Sequence, residues 1–316
     1  MDETAQRSLR AAELLDLGVT KGELRGPRWR APFRGVHTPV VEDIGTTLQR
    51  IHDAVALLPP GGVLGGWADA YLHGVTELDG RGRSGAEQEP VTLVVPLSCH
   101  LDDRAGIRYF RTRLADDDRS DVDGLPVTGR IRTAFDLGRW SGAESAVVAL
   151  DTIARQARVD PNAVMAYARE HPRLRRARLA GRAAGLADPL SRSAGESRYR
   201  YCWMVDAGLP RPVCNAYIVD AEGVVVACAD LLDPDSGLCG EYDGSTHREL
   251  ESHTEDNNRE ERLEDLGLVV VRSTNMDLWR ANRPRTVQRM QRAHARARSA
   301  GPGRWGWYPS AAPVFW

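Results

Sequence analysis

Lysine is all but missing from this 316-residue chain: of 42 lysines and arginines, Lys21 is the only lysine. A catalytic lysine is therefore excluded everywhere except position 21. Arginine is the default cation here, so its presence at a position does not by itself signal selection. Long apolar runs are also missing. No stretch approaches the roughly 18 residues that a membrane-crossing helix needs. The opening Met1-Asp2-Glu3-Thr4 is polar and acidic, unlike the start of a secretory signal. These absences predict a cytoplasmic protein with no membrane partner. Cysteine is sparse and scattered: Cys99, Cys202, Cys214, Cys228 and Cys239 form no CxxC pair. That excludes a zinc knuckle and a paired disulfide framework, and predicts buried free thiols. A net charge of −2 shows no bias toward a polyanion, although net charge averages over faces.

What is present suits a soluble globular chain, 42% hydrophobic and 27% charged, long enough for two cores. The pattern predicts a helix over Gln6–Leu17 and a short turn capped by Thr20. A β-segment over Trp29–His37 follows, bent by Pro32 and Gly35, and then an amphipathic helix over Asp43–Leu58. Strands are expected at Thr92–Pro96, Ile107–Arg113 and Leu125–Val127, with a polar glycine-rich loop over residues 80–90. From Arg132 to Ala187 the period turns helical, with Ser141–Ala157, Pro161–Glu170 and Pro172–Ala184 as helices. Pro161 and Pro172 suit first-turn positions.

The last block reads as helix, three strands, helix, strand, helix. Ser193–Ala207 is the first helix, and strands follow at Val213–Val219, Val224–Leu232 and Leu238–Tyr242. A charged helix over Thr246–Leu266 ends at Gly267, and Leu268–Arg272 is an apolar strand. Asp277–Arg298 is mostly helical, broken or restarted at Pro284. The expected domains are 1–40, 41–187 and 188–316. The fold class is α+β or α/β throughout: an N-terminal winged-helix-like segment, a mixed α/β region with a helical connector, and a C-terminal αβββαβ domain.

The chemistry is concentrated in Cys228-Ala-Asp230 and Glu241-Tyr242-Asp243-Gly244-Ser-Thr-His247. Each carboxylate closes an apolar strand, and neighbouring strands bring Asp230 toward Glu241. A charge there is costly unless it is paired or metal-bound. Paired carboxylates are what a hard divalent ion such as Mg²⁺ or Mn²⁺ requires, alongside water and substrate oxygens. Such an ion lowers the pKa of a bound water and neutralises charge on a phosphodiester.

In order, the chain carries Glu196, Asp230, Glu241-x-Asp243-Gly244-x-x-His247, Asp256-x-x-Arg259-x-x-x-Leu263, Gly267 and Val269-Val-Val-Arg272. This pattern resembles the small endonuclease branch of the PD-(D/E)XK superfamily, related to very-short-patch-repair endonucleases. The resemblance implies a restriction-endonuclease-like fold and DNA as substrate. It also implies Mg²⁺ or Mn²⁺ held by Asp230, Glu241 and the Tyr242 carbonyl. Glu196 would be an auxiliary acid, and His247 a general base or phosphate contact. Asp243 stands where the superfamily's name places a lysine, which leaves open the group that activates water.

Each residue also has a plainer reading. Glu196 lies in Ser193-Ala-Gly-Glu196, a capping box. Asp243-Gly244 is a common turn dipeptide, and His247 a common helix-start residue. Asp256 and Arg259 can simply pair on a helix surface. From Arg272 to Arg304 there are nine arginines and one acid, Asp277. That stretch, with Arg259, Arg272, Arg280 and Arg285, can track a phosphate backbone or be a solvated tail. The terminal tryptophans can stack on bases or form a strap over the core.

Further upstream, Leu17-Gly-Val-Thr-Lys-Gly-Glu-Leu24, Trp29-Arg-Ala-Pro-Phe-Arg-Gly-Val-His37, Gly65-Gly-Trp-Ala-Asp-Ala-Tyr-Leu-His-Gly74 and Gly124-Leu-Pro-Val-Thr-Gly-Arg-Ile-Arg-Thr-Ala-Phe-Asp136 resemble proteins related to AbiEi-type antitoxins. That resemblance implies a small winged helix ahead of an α/β domain. Thr20–Arg25 is short for a major-groove helix. If it meets DNA, Lys21, Arg25, Arg28 and Arg30 are the available phosphate contacts. The functions that follow are a metal-dependent DNA endonuclease, or a non-catalytic DNA-binding regulator of antitoxin type on a nuclease-like platform. A toxin or repair partner would go with either, and binding to another protein is the third possibility.

Overall fold

The computed structural model describes residues 7–40, 46–82, 85–244, 261–300, 303 and 305–310. They form a mixed α+β structure with three sheets. The chain divides into two compact units, Met1–Leu137 and Gly138–Trp316. No helix among the described residues is long and apolar enough to cross a membrane.

The first unit opens with β1 (Leu9–Arg10), α1 (Ala11–Asp16), β2 (Trp29–Phe33) and β3 (Val36–Pro39). These strands make a sheet of order β1-β3-β2. The helix expected over Gln6–Leu17 is cut to Ala11–Asp16, because Leu9 and Arg10 pair with His37 and Val36. Strand pairing to a distant segment overrides helical periodicity here. Thr20 Oγ1 accepts the Glu23 N–H at 3.2 Å and its N–H and hydroxyl donate to Glu23 Oε2, both at 2.8 Å, but only the 3₁₀ turn Glu23–Arg25 follows, with Gly22 at its N-cap position. Arg30 is removed from the set of phosphate contacts. It makes a two-pronged pair with Asp53 at 2.7 and 2.8 Å, beside Ser8, Thr38 and Gln49.

The larger sheet of this unit has the order β6-β5-β4-β8-β7. Its strands are β4 (Val63–Gly65), β5 (Val91–Val95), β6 (Ile107–Arg111), β7 (Arg119–Val122) and β8 (Leu125–Thr128), with α2 (Thr47–Val55) and α3 (Gly66–Leu72) between the early ones. Ile51, Leu64, Trp67, Leu93, Ile107 and Val127 form the core. Sequence periodicity does not expose β4 or β7. β4 is three residues long, and β7 (Arg-Ser-Asp-Val) is a polar edge strand with no apolar stripe. α4 (Arg130–Trp140) follows.

The second unit contains α5 (Ala143–Gln156), α6 (Pro161–Glu170), α7 (Ala177–Leu186) and α8 (Ala194–Tyr201). The helical stretch grouped by sequence with the middle domain thus belongs to the C-terminal unit, and the division falls at Leu137/Gly138 instead of 187/188. A buried ion pair ties it there: Arg200 on α8 grips both oxygens of Asp151 on α5 at 2.8 and 2.7 Å. Pro161 opens α6 behind its Asp160 cap, as expected. Pro172 opens nothing. It restricts His171, which ends α6, and α7 starts only after Arg176 has taken a left-handed conformation at φ 60°.

After α8 the helix widens into a π-turn over Cys202–Asp206. β9 (Val213–Val219), β10 (Val225–Asp233), β11 (Leu238–Asp243) and β12 (Val269–Thr274) follow. Residues 261–265 are helical ahead of β12. α9 (Arg283–Ala300) carries Pro284 in its first turn, so the proline restarts the helix as expected. β13 (Gly306–Tyr308) adds to β9, giving the order β12-β11-β10-β9-β13. Gly306–Tyr308 thus packs back as an edge strand of its own sheet, with Tyr308 stacked on Tyr217, while Phe315 and Trp316 lie outside the described residues. All five cysteines are free, and Cys202, Cys214 and Cys239 are buried.

Candidate active site

β11 is the strand that organises the site. It runs antiparallel to β10 and parallel to β12. The β10–β11 register pairs Asp233 with Leu238, Leu232 with Cys239 and Leu231 with Gly240. One step further sets Asp230 across from Glu241. Directly opposed residues of an antiparallel pair lie about 5 Å apart at Cβ, and like charges there repel. Asp230 is half-buried and Glu241 is 7% exposed. The Asp230 carboxylate is held across the ladder, accepting the Tyr242 N–H at Oδ2, 2.7 Å. Two acids and the Tyr242 carbonyl are thus gathered within a step of one another.

Small residues let α8 sit close over this strand. A Cβ on Gly195 would fall 2.0 Å from the Tyr242 ring, and one on Gly240 2.9 Å from the Tyr199 ring. Glu196 lies one turn into α8. Ser193 Oγ accepts the Glu196 N–H at 3.1 Å, while Glu196 Oε2 accepts the Arg192 N–H at 2.8 Å and Asn215 Nδ2–H at 3.0 Å. The Ser193 half of the capping box expected from Ser193-Ala-Gly-Glu196 is therefore present, but Glu196 reaches back to the Arg192 N–H instead of that of Ser193. The same contacts also aim the carboxylate toward β9.

Asn215 is the residue that sequence reading missed. It is 1% exposed, donates to Leu190 O at 2.6 Å as well as to Glu196, and has φ 51° inside a strand. A left-handed asparagine in mid-strand is strained and uncommon. The β9–β10 register, which pairs Ala216 with Ala229 and Cys214 with Leu231, sets Asn215 opposite Asp230. Asn215 therefore joins Glu196 to the carboxylate pair. Only a break in the apolar alternation, Val213-Cys-Asn215-Ala-Tyr, hints at it in the sequence.

Arg192 is a second missed residue. Burial pushes the Cys228 thiol pKa up, the charge and hydrogen bond of Arg192 pull it down, and the charges of Asp230 and Glu241 push it up again. One thiol thus has Arg192 and both carboxylates within electrostatic reach. On the other side, the parallel register places Arg272 beside Glu241. Arg289 donates to Arg272 O at 2.7 Å and Ser273 Oγ at 3.1 Å, fixing that strand end. Asp233 is excluded from the site: it closes its turn through Ser236 Oγ at 2.5 Å and pairs with His294 at 3.2 Å.

The remaining expected residues divide. Asp243 ends β11 ahead of Gly244, as a turn residue would. Arg280 and Arg285 are exposed at the start of the α9 region. His247, Asp256 and Arg259 lie outside the described residues. Among the described residues no group of three or more His, Cys, Asp and Glu side chains is gathered for a metal. That rules out a closed zinc-type cage formed by those residues alone.

No family model, curated protein or solved structure matches this chain. The function must be argued from the site's own geometry.

Proposed function

We propose that the C-terminal unit is a metal-dependent endonuclease of the PD-(D/E)XK type that hydrolyses DNA phosphodiester bonds. One observation carries the reading: the β10–β11 register sets Asp230 opposite Glu241, with Asp230 anchored by the Tyr242 N–H. Opposed carboxylates repel unless a cation joins them. The element order α8-β9-β10-β11, a helical turn and then β12 is the order expected of that fold. A divalent ion held by Asp230, Glu241 and the Tyr242 carbonyl would supply an acidified water and charge neutralisation at the scissile phosphate. Asn215 would hold Glu196 in line with the pair, and Arg192 would meet the phosphate. His247 would take the proton from water or contact the phosphate.

A second reading is favoured by Arg272, the register neighbour of Glu241. If that guanidinium neutralises Glu241, the sheet is a binding platform, and the chain is a DNA-binding regulator of antitoxin type. A plasmid-nicking assay in EDTA and in Mn²⁺ separates the two. Under the first reading, wild type nicks only with Mn²⁺, and Asp230→Ala does not nick at all. Equal nicking by both proteins would sink the enzymatic reading. DNA binding with no nicking in Mn²⁺ would leave the regulator.

A further inference from the structure

Charge is strongly segregated on the α6–α7 hairpin. Residues 169–182 hold Arg169, Arg173, Arg175, Arg176, Arg178 and Arg182 against one acid, Glu170, in a chain whose totals are 42 basic and 44 acidic. An arginine-rich composition explains arginine in place of lysine. It does not explain an absence of acids from one surface. All six are exposed. Arg176 is committed to the Trp140 and Ser141 carbonyls at 3.4 and 2.7 Å. Arg169, Arg173, Arg178 and Arg182 form no ion pair with a carboxylate among the described residues.

Their setting is a trough. α6 and α7 touch through small residues: a Cβ on Gly181 would lie 3.3 Å from the Ala168 Cβ. Ala177, Ala180, Ala183 and Ala184 give α7 its buried face, while Arg178 and Arg182 stand one turn apart on the outside. Between the helices runs an open groove of about 750 Å³, with Met165, Ala168 and Pro172 among its floor residues and Arg169, Arg178 and Arg182 along it. An open groove lined by three exposed guanidiniums, on a hairpin almost without acids, fits a chain of phosphates.

We infer that the α6–α7 trough binds the phosphate backbone of duplex DNA, as a contact surface separate from the Asp230/Glu241 site. The choice of DNA as occupant rests on the proposed nuclease function. The helices that flank the hairpin are joined by the buried Arg200–Asp151 pair, which anchors α5 to α8. Binding here needs no metal, so it is separable from hydrolysis. Exposed guanidiniums contacting phosphates release counterions, and each contact contributes about 0.9 to the slope of log affinity against log salt.

The test is binding of a labelled duplex to the full chain in EDTA over a salt series. The variants are Arg173→Gln and Arg178→Gln singly, and the fourfold change of Arg169, Arg173, Arg178 and Arg182 to Gln. We expect each single change to lower the salt slope by about 0.9, and the fourfold change by about three to four. Asp230→Ala should keep the full slope, with unchanged thermal melting throughout. The singly substituted proteins decide the matter if the fourfold variant melts early. An unchanged slope in correctly folded variants would overturn the proposal. So would a preference for polyglutamate or anionic vesicles over the duplex. Loss of slope in the arginine variants, with no nicking by wild type in Mn²⁺, would keep the trough and discard the hydrolytic reading.

Discussion

Asp69 in the first unit and Glu241 in the second are both enclosed carboxylates, at 0% and 7% exposure. Their surroundings are opposite. Asp69, on α3, is surrounded by donors: the Thr128 hydroxyl, the Thr133 hydroxyl at 2.7 Å, the Thr128 N–H at 3.2 Å and His73 Nε2 at 3.2 Å. Three of these donors converge on Oδ2, while Oδ1 has only the His73 contact, so the fold's own groups hold this carboxylate in place. Glu241 faces another acid along one ladder and an arginine along the next. Burial alone therefore says nothing about function. The surroundings decide: neutral hydroxyls hold Asp69 in place, whereas Glu241 lies between a second acid and an arginine.

The sharpest break of this comparison is catalytic. Glu241→Gln should abolish Mn²⁺-dependent nicking, whereas Asp69→Asn should leave the site's chemistry intact in whatever fraction folds. Stability should run the other way. Asp69→Ala strands His73 and two hydroxyls, and should cost about 3–5 kcal/mol in urea unfolding, as should Asp151→Ala, which strands Arg200. Glu241→Gln should stay within about 1 kcal/mol of wild type, since it relieves like-charge opposition. A loss near that of Asp69→Ala would identify Arg272 as its structural partner and support the regulator reading.

Asn215 tests the site's edge. Asn215→Gly accommodates φ 51° without strain but removes the amide that holds Glu196. We expect the melting temperature to hold while activity or Mn²⁺ affinity falls roughly 10–100-fold, the usual effect of an outer partner. A melting change without a kinetic one would reduce Asn215 to a structural kink.

The smallest effect is on pH dependence. Burial pulls the His73 pKa down, but the hydrogen bond and charge of Asp69 outweigh it and leave it raised. Burial pushes Asp69 up against its hydrogen bonds. Both shifts mean that the folded state holds protons more tightly than the unfolded chain. The His73 contribution is thus complete below the ordinary histidine value of about 6.5 and is lost as pH rises through the raised value. Urea unfolding of the first unit should show stability declining across that range, and His73→Gln should flatten the decline.

Legibility followed the range of the interactions. The apolar strands Val213–Val219 and Leu238–Asp243 and the Ser193 cap are local patterns, and their bounds were readable to within a residue or two. The Asp230/Glu241 pair was readable because apolar strands lead directly to each. Asn215 and Arg192 were hidden, since their relevance comes from register and from the loop before α8. The short β4, polar β7, and shortened α1 were misjudged or unseen, because each is held by pairing with a remote segment.

By itself the sequence determined the chemical inventory: a single lysine, arginine as the default cation, acids closing two apolar strands, and strand and helix periods that require a mixed α+β chain. Only tertiary structure decided which acids meet. Asp69 and Glu241 look alike in one dimension, since a sequence records neighbours along the backbone. Ladder register and helix packing set the dielectric and the donors around each carboxyl, and the hydroxyls that hold Asp69 come from 59 and 64 residues away.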